Sequence, residues 1–117
     1  MDVVILDEMK SRRAAIAESL EKNRYKVVQC ATSNDFMNAI STMTFGHFLI
    51  DVESWQHGRS LYAYFQIGKK IERVPVLFYN APPNFTAVNE RTKHEKDSVL
   101  QTPAEVDSIV DAMANSL

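Results

Sequence analysis

The stretch Phe48–Val52, FLIDV, decides the fold. Three large apolar residues follow one another without a polar residue between them, and the run then meets an aspartate. Such a continuous apolar run is typical of a parallel β-strand that is covered on both faces. Val3–Leu6 and Pro75–Tyr79 have the same character, and a polar residue follows each of them. The three runs together predict a buried parallel sheet.

Two weaker runs and five helical segments surround these strands. Tyr25–Cys30 and Ser98–Leu100 complete a set of five predicted strands. Between the strands, apolar residues recur at intervals of three and four, which is the period of an amphipathic helix. The predicted helices are Ser11–Asn23, Ser33–Met43, Arg59–Ile71, a short one within Pro82–Lys96, and a last one that begins at Pro103. This alternation, with connections too long for hairpins, predicts a single α/β domain over residues 1–117 with an open, doubly wound parallel sheet.

The last helix has the clearest pattern of the five. Apolar residues recur at helical spacing from Val106 to Leu117. Ahead of them, Thr102 stands directly before Pro103, and Glu105 follows three residues after the threonine. A threonine cap, a proline at the first helical position and a glutamate three residues after the cap predict a capping box. The hydroxyl of Thr102 is then used in capping.

The composition excludes several classes of function. A net charge of -2 over 117 residues gives no bulk attraction for nucleic acid or an anionic membrane. No apolar run approaches the roughly 20 residues that cross a bilayer, and the N-terminus lacks the pattern of a signal peptide. The single cysteine, Cys30, fits a reducing, cytoplasmic setting. The three glycines form no phosphate-binding run, and the three histidines lack the spacing of a zinc site.

Carboxylates stand where two of the predicted strands end. Asp7 and Glu8 follow the first strand, and Asp51 closes the third. Sites in open α/β sheets lie beyond the carboxyl ends of the strands, so these three side chains are expected in one crevice. A cluster with only oxygen ligands suits a hard divalent cation such as Mg2+. The plainer alternative is that Asp7 caps the following turn and that Asp51 merely ends a strand.

With these features the sequence resembles the receiver domains of bacterial two-component response regulators. The resemblance covers essentially the whole chain and is carried by VVILDEMKSRR, FLIDV, VPVLFYNAP and the Thr102-Pro103 pair after the fifth strand. It implies a flavodoxin-like fold with strand order 2-1-3-4-5 and five helices. It also implies that Asp51 is the phosphoacceptor and that Asp7 and Glu8 bind Mg2+. The backbone carbonyl of Glu53 stands where the family supplies a further metal ligand.

The sequence departs from the family at the positions whose side chains contact the phosphoryl group or respond to it. Asn80 stands where the family has a threonine or serine, and Thr102 stands where it has a lysine. Val99 replaces the aromatic residue or histidine that serves as the switch, and Ser54-Trp55 replaces a Met-Pro pair. A lost lysine removes a charge-assisted hydrogen bond that contributes roughly 1.5–3 kcal/mol. The profile is that of an atypical receiver, or pseudo-receiver, which acts through protein contacts.

Three functions remain open at this point. The first is a receiver domain in a two-component phosphorelay that a histidine kinase still phosphorylates at Asp51. The second is a phosphorylation-independent interaction or dimerisation module at the N-terminus of a longer transcriptional regulator. The third, a lesser alternative, is a phosphatase with Asp51 as nucleophile and Glu53 as acid, although its other catalytic parts are not evident. We expect no enzymatic activity of the domain itself.

The resemblance also implies an interaction surface. The family commonly dimerises or docks through the face formed by the fourth helix, the fifth strand and the fifth helix. Mixed charges on that face permit symmetric ion pairing in a homodimer, although a solvated face is the plainer interpretation. The charged residues concerned are Arg91, Lys93, Glu95, Lys96, Asp97, Asp107 and Asp111.

Overall fold

The structure is a computed structural model of the chain. It describes residues 2–42, 46–56, 76–81, 98–101 and 104–115. Five strands and four helices lie in these ranges. In chain order they are β1 (Asp2–Leu6), α1 (Lys10–Lys22), β2 (Lys26–Cys30), α2 (Ser33–Thr42), β3 (His47–Asp51), α3 (Val52–Gln56), β4 (Val76–Ala81), β5 (Ser98–Gln101) and α4 (Val106–Asn115).

The five strands form one parallel sheet in the order β2-β1-β3-β4-β5. This order and direction confirm the predicted doubly wound sheet. The register sets the positions of the acidic residues, because Leu6 pairs with Ile50 across β1 and β3. The next residues, Asp7 and Asp51, therefore emerge side by side at the carboxyl edge of the sheet. On the other side of β3, Asp51 pairs with Tyr79 of β4.

Both faces of the central strands are covered, which explains their continuous apolar runs. One face packs against α2, where the rings of Phe36 and Phe48 lie 5.3 Å apart between centroids. The other face packs against α1 and α4, through buried side chains such as Ile16 and Ile109. Strand alternation assigns Tyr79 to this second face. No helix within the described ranges is both long enough and apolar enough to span a membrane.

The first two helices, α1 and α2, agree with the sequence prediction to within one residue at each end. Burial of Ile16, Ala17 and Leu20 gives α1 its place against the sheet. At the start of α2, the capping residue, Thr32, lies directly ahead of the predicted first residue, Ser33. There the hydroxyl of Thr32 accepts the amide hydrogen of Asp35 at 3.1 Å, and its carbonyl accepts that of Phe36 at 3.0 Å.

The other two helices depart from the prediction. The short helix α3 begins directly after Asp51, where no helix is predicted. The last helix begins at Val106, three residues after the predicted start at Pro103. Its first backbone hydrogen bond within the described residues runs from Ile109 to the carbonyl of Glu105, at 3.0 Å. The predicted helices Arg59–Ile71 and Pro82–Lys96 lie outside the described residues.

Candidate functional site

Asp51 ends β3 and caps α3. Its Oδ2 atom accepts the backbone N–H of Ser54 at 3.1 Å and the hydroxyl of Ser54 at 2.5 Å. A carboxylate that accepts the amide hydrogen three residues ahead, at the first turn of a helix, makes the usual N-cap contact. The side chain is buried, with 1% exposed. Asp51 therefore has a structural task in addition to any chemical one.

Asp7 is the most heavily used carboxylate of the site. Its Oδ1 accepts the backbone N–H of Met9 at 2.9 Å, which closes the turn into α1. The guanidinium of Arg12 donates from Nε to Oδ2 at 2.6 Å and from Nη2 to Oδ1 at 2.8 Å. The hydroxyl of Tyr79 donates to Oδ2 at 2.8 Å. The contact with Met9 confirms the plainer alternative from the sequence, that Asp7 caps the following turn. Asp7 also binds Arg12 and Tyr79, which that alternative does not include.

Arg12 joins the two carboxylates. Besides its two hydrogen bonds to Asp7, its Nη2 lies 3.2 Å from Oδ2 of Asp51. Its guanidinium carbon lies 5.8 Å from the centre of the Tyr79 ring, within cation–π range. The hydrogen bonds to Asp7 raise the pKa of Arg12 above its ordinary value, with a further contribution from the charges of Asp7 and Asp51. The site therefore contains a permanent cation of its own.

Tyr79 supplies a neutral donor from the core. The ring is buried among the residues that pack against α1 and α4. Burial raises the pKa of Tyr79 far above its ordinary value, and the negative charge of Asp7 acts in the same direction. The hydroxyl thus stays protonated and donates a hydrogen bond to the Asp7 carboxylate.

Asn80 links Asp51 to the chain ahead of the last helix. Its side-chain Nδ2 donates to Oδ1 of Asp51 at 3.1 Å, and its Oδ1 accepts the backbone N–H of Ala104 at 3.1 Å. The backbone of Asn80 has a φ of 56° and lies where the β4–β5 register shifts. Asparagine tolerates this left-handed conformation better than most residues. The Asn80 amide thus provides a neutral hydrogen-bond donor to the Asp51 carboxylate.

The left-handed backbone leads to a prediction about the residue that the family has at this position. We expect Asn80→Thr to be less stable than Asn80→Gly by about 1 kcal/mol, because a β-branched side chain is disfavoured at this φ. Both variants lose the two amide contacts, and the predicted difference is what remains of the backbone effect after the greater entropy of glycine in the unfolded chain has offset part of it. Urea denaturation of the two variants measures it. A threonine variant as stable as the glycine variant would contradict a left-handed residue 80.

The other two predicted metal ligands lie at the exposed rim. Glu8 is exposed, and its backbone N–H donates to the hydroxyl of Ser54 at 2.8 Å. Glu53 is an exposed residue in the first turn of α3. Across the described ranges, no three side chains of the aspartate, glutamate, histidine or cysteine type form a group placed to hold a metal ion. The metal set of Asp7, Glu8, Asp51 and the Glu53 carbonyl stays a prediction from the sequence.

The carboxylates do not fit a divalent cation in the arrangement observed. Each of the four side-chain oxygens of Asp7 and Asp51 already accepts a hydrogen bond or an ion pair from within the chain. A Mg2+ ion needs such oxygens as ligands. At either oxygen of Asp7 and at Oδ2 of Asp51, each of which has two or more contacts, it would have to displace a donor that now holds the oxygen.

Among the predicted switch positions, Asn80 is the one whose side chain the structure describes, and it contacts Asp51. Val99 lies in β5, and Thr102 lies outside the described residues. Sequence reasoning missed the contacts of Arg12, Ser54 and Tyr79. Ser54 had a usable signal, because a serine three residues after a strand-ending aspartate has the spacing of a cap and its partner.

Solved structures with closely similar backbones are receiver domains. The non-phosphorylated HemR receiver domain from Leptospira biflexa superposes with a TM-score of 0.80 at 15% identity, over 98% of this chain and 92% of that one. The chemotaxis response regulator CheY4 of Vibrio cholerae gives 0.78 at 14% identity, over 99% and 98% of the two chains. This chain has the receiver-domain fold.

The receiver fold also relates the chain to a phosphorylated protein. A response regulator from Burkholderia pseudomallei, solved with a phosphorylated aspartic acid, a calcium ion and citrate, has a TM-score of 0.71 at 21% identity. The match covers 98% of this chain and 68% of that one. No family model matches the sequence, and no curated protein matches it. The receiver likeness is therefore one of fold, at identities too low to carry function with it.

Proposed function

We propose that this chain is an atypical receiver domain of a two-component signalling protein, and that it acts through contacts with other proteins. Its partners are a histidine kinase or another signalling protein. Phosphoryl transfer to Asp51 is weak or absent in this proposal. The receiver fold supports the general assignment, and the contacts of Asp51 support the atypical one.

The observation that carries the proposal is the engagement of both Asp51 oxygens. Oδ1 accepts from Asn80, and Oδ2 accepts from Ser54 and faces Arg12. Phosphoryl transfer forms a new bond between phosphorus and one of these oxygens. At Oδ2, which Ser54 and Arg12 already contact, at least one internal contact has to break first. Breaking a hydrogen bond to a buried charged group costs about 1.5–3 kcal/mol. This cost adds to the barrier of phosphoryl transfer to Oδ2, and it leaves Oδ1, beside the Asn80 amide, as the less obstructed oxygen.

The charge at the site supports the same conclusion. A transferring phosphoryl group is stabilised by cations gathered around its oxygens. In the part of the chain that the structure describes, Arg12 is the only basic residue in contact with Asp51. That guanidinium is already committed to Asp7 through two hydrogen bonds. Little positive charge remains for an incoming phosphoryl group.

Acetyl phosphate tests the proposal directly. We expect wild-type protein, incubated with acetyl phosphate and Mg2+ and weighed intact, to show no stable addition of one phosphoryl group. A receiver domain known to phosphorylate under these conditions controls for the reagent. Stable addition to the wild-type chain that is lost in Asp51→Asn would show that the acceptor still works, and it would replace the proposal by a phosphorylated receiver.

The homodimer and the phosphatase remain predictions from the sequence. For the predicted homodimer face, the structure shows only that Asp107 and Asp111 are exposed on α4, and the other charged residues named for that face lie outside the described residues. Sedimentation at high protein concentration tests the homodimer, and a monomer would contradict it. The phosphatase alternative gains no support, since Asp51 is buried while Glu53 is exposed.

A further inference from the structure

We infer that the guanidinium of Arg12 takes the place of a divalent cation at the Asp7–Asp51 pair, so that the folded chain does not bind Mg2+ there. The inference deepens the proposed function and rests on it in one respect, since Asp51 is the acceptor position in both. It replaces an exchangeable ion with a side chain of the protein itself. The net charge of the Asp7–Asp51–Arg12 group then does not depend on the metal concentration in solution.

The first argument is electrostatic. Parallel pairing places the carboxylates of Asp7 and Asp51 next to each other, and both are buried. Two neighbouring buried anions need a counter-charge, which is the role that a metal ion fills in an acidic cluster. Arg12 contacts both carboxylates at 3.2 Å or less. The need for a cation is thereby met from within the chain.

The second argument concerns how Arg12 is positioned. Arg12 is the third residue of α1, and the turn into α1 is closed by the Asp7 carboxylate itself through the N–H of Met9. The same carboxylate therefore places the helix and receives the guanidinium. Tyr79 adds a ring beside the guanidinium carbon. The planar, two-point contact with Asp7 is the geometry in which arginine binds a carboxylate most strongly.

The third argument is the chemistry of the remaining neighbours. Tyr79 and Asn80 both direct protons at the carboxylates, and Ser54 directs two at Oδ2 of Asp51. Hydrogen-bond donors around a carboxylate compete with a metal ion for the same lone pairs. Only the removal of the guanidinium leaves an uncompensated negative pair for Mg2+ to bind. If Arg12 were only a structural ion-pair partner, its removal would not create a Mg2+ site. The appearance of Mg2+ binding after its removal therefore tests the inference.

The experiment compares thermal unfolding of three proteins with Mg2+ and with a chelator. These are the wild type, Arg12→Met and the matched control Arg13→Met. Arg13 donates to the backbone carbonyl of Asp7 and to Gln29, but to neither carboxylate, so its loss leaves the charge of the pair unchanged. We expect a shift of less than about 1 °C for the wild type and the control. At a Mg2+ concentration about ten times the dissociation constant, Arg12→Met should unfold roughly 5 °C higher than in chelator.

Each outcome decides the inference. A Mg2+-dependent rise in the wild type overturns it, and so does a folded Arg12→Met that shows no rise. Recovery by Mg2+ of an Arg12→Met protein that is unfolded in chelator supports it. If Arg12→Met is unfolded in both buffers, calorimetric titration of Mg2+ into the wild type decides, because stoichiometric binding refutes the inference and absent binding supports it. No phosphoryl donor is present, so the result is independent of the acetyl phosphate experiment.

Discussion

Replacing Asp7 with alanine is expected to lower the free energy of unfolding by about 3–5 kcal/mol, because removing one partner of a buried ion pair leaves the other charge without compensation. The Asp7 carboxylate is fully buried and accepts from Met9, Arg12 and Tyr79. In the variant, the Tyr79 hydroxyl loses the acceptor that it has in the native protein. The guanidinium of Arg12, with 19% of its side chain exposed, can turn partly toward water, so the lower end of the range is expected.

Glu18→Ala is the matched control for this measurement. Glu18 also belongs to an ion pair, with Lys22 at 3.5 Å, but both side chains are more than 70% exposed. Such a pair contributes less than about 0.5 kcal/mol. Urea denaturation of both variants compares a buried and a solvated carboxylate in one protein. Equal losses in the two variants would show that the Asp7 network contributes little to stability.

Alkaline unfolding is expected to depend strongly on Tyr79. Its folded-state pKa is raised by burial, whereas an unfolded tyrosine loses its proton near a pH of about 10. The contribution of Tyr79 is therefore complete below that pH. As the pH rises further, the unfolded state releases a proton that the native state retains, and stability falls by roughly 1.4 kcal/mol per pH unit from this group alone.

The variant Tyr79→Phe isolates this effect. At neutral pH it should lose about 1.5–3 kcal/mol, the contribution of a hydrogen bond to a charged acceptor. Above a pH of about 10 its stability should fall less steeply than that of the wild type. Burial also raises the pKa of Cys30, to about 11, and this contribution is common to both proteins. Tyr25→Phe, at a half-buried tyrosine, is the control, and a Tyr79→Phe profile parallel to the wild type above pH 10 would contradict the prediction.

The strands of this fold are predictable because burial on both faces leaves a direct mark on the sequence. The apolar runs that predict β1, β3 and β4 exist since each strand contacts helices on both sides. The five residues of α3 span little more than one helical turn, so no apolar period can reveal them. The last helix, α4, begins later than predicted, and a tertiary contact lies at that point. The N–H of Ala104, just ahead of α4, donates a hydrogen bond to the side chain of Asn80.

The candidate site is predictable in its acidic members and not in their neighbours. Strand ends identify Asp7 and Asp51, because parallel strands finish at one edge. The bond between Tyr79 and Asp7 joins residues 72 positions apart. Such a contact depends on the strand order, on the register and on which face Tyr79 occupies. A local pattern contains none of these three, and for the same reason the sequence alone does not distinguish an arginine that covers the acidic pair from one in solvent.

The side chain of Asn80 connects a structural change at Asp51 to the backbone at Ala104. Its amide has two unlike ends, with the nitrogen at the carboxylate and the oxygen at the N–H of Ala104. A half-turn of this amide would set oxygen against oxygen on one side and hydrogen against hydrogen on the other, so it has a single workable orientation. Any chemical change that draws the nitrogen away from Asp51 must also pull the oxygen from Ala104. The entrance to the last helix is thus mechanically tied to Asp51 through one planar group.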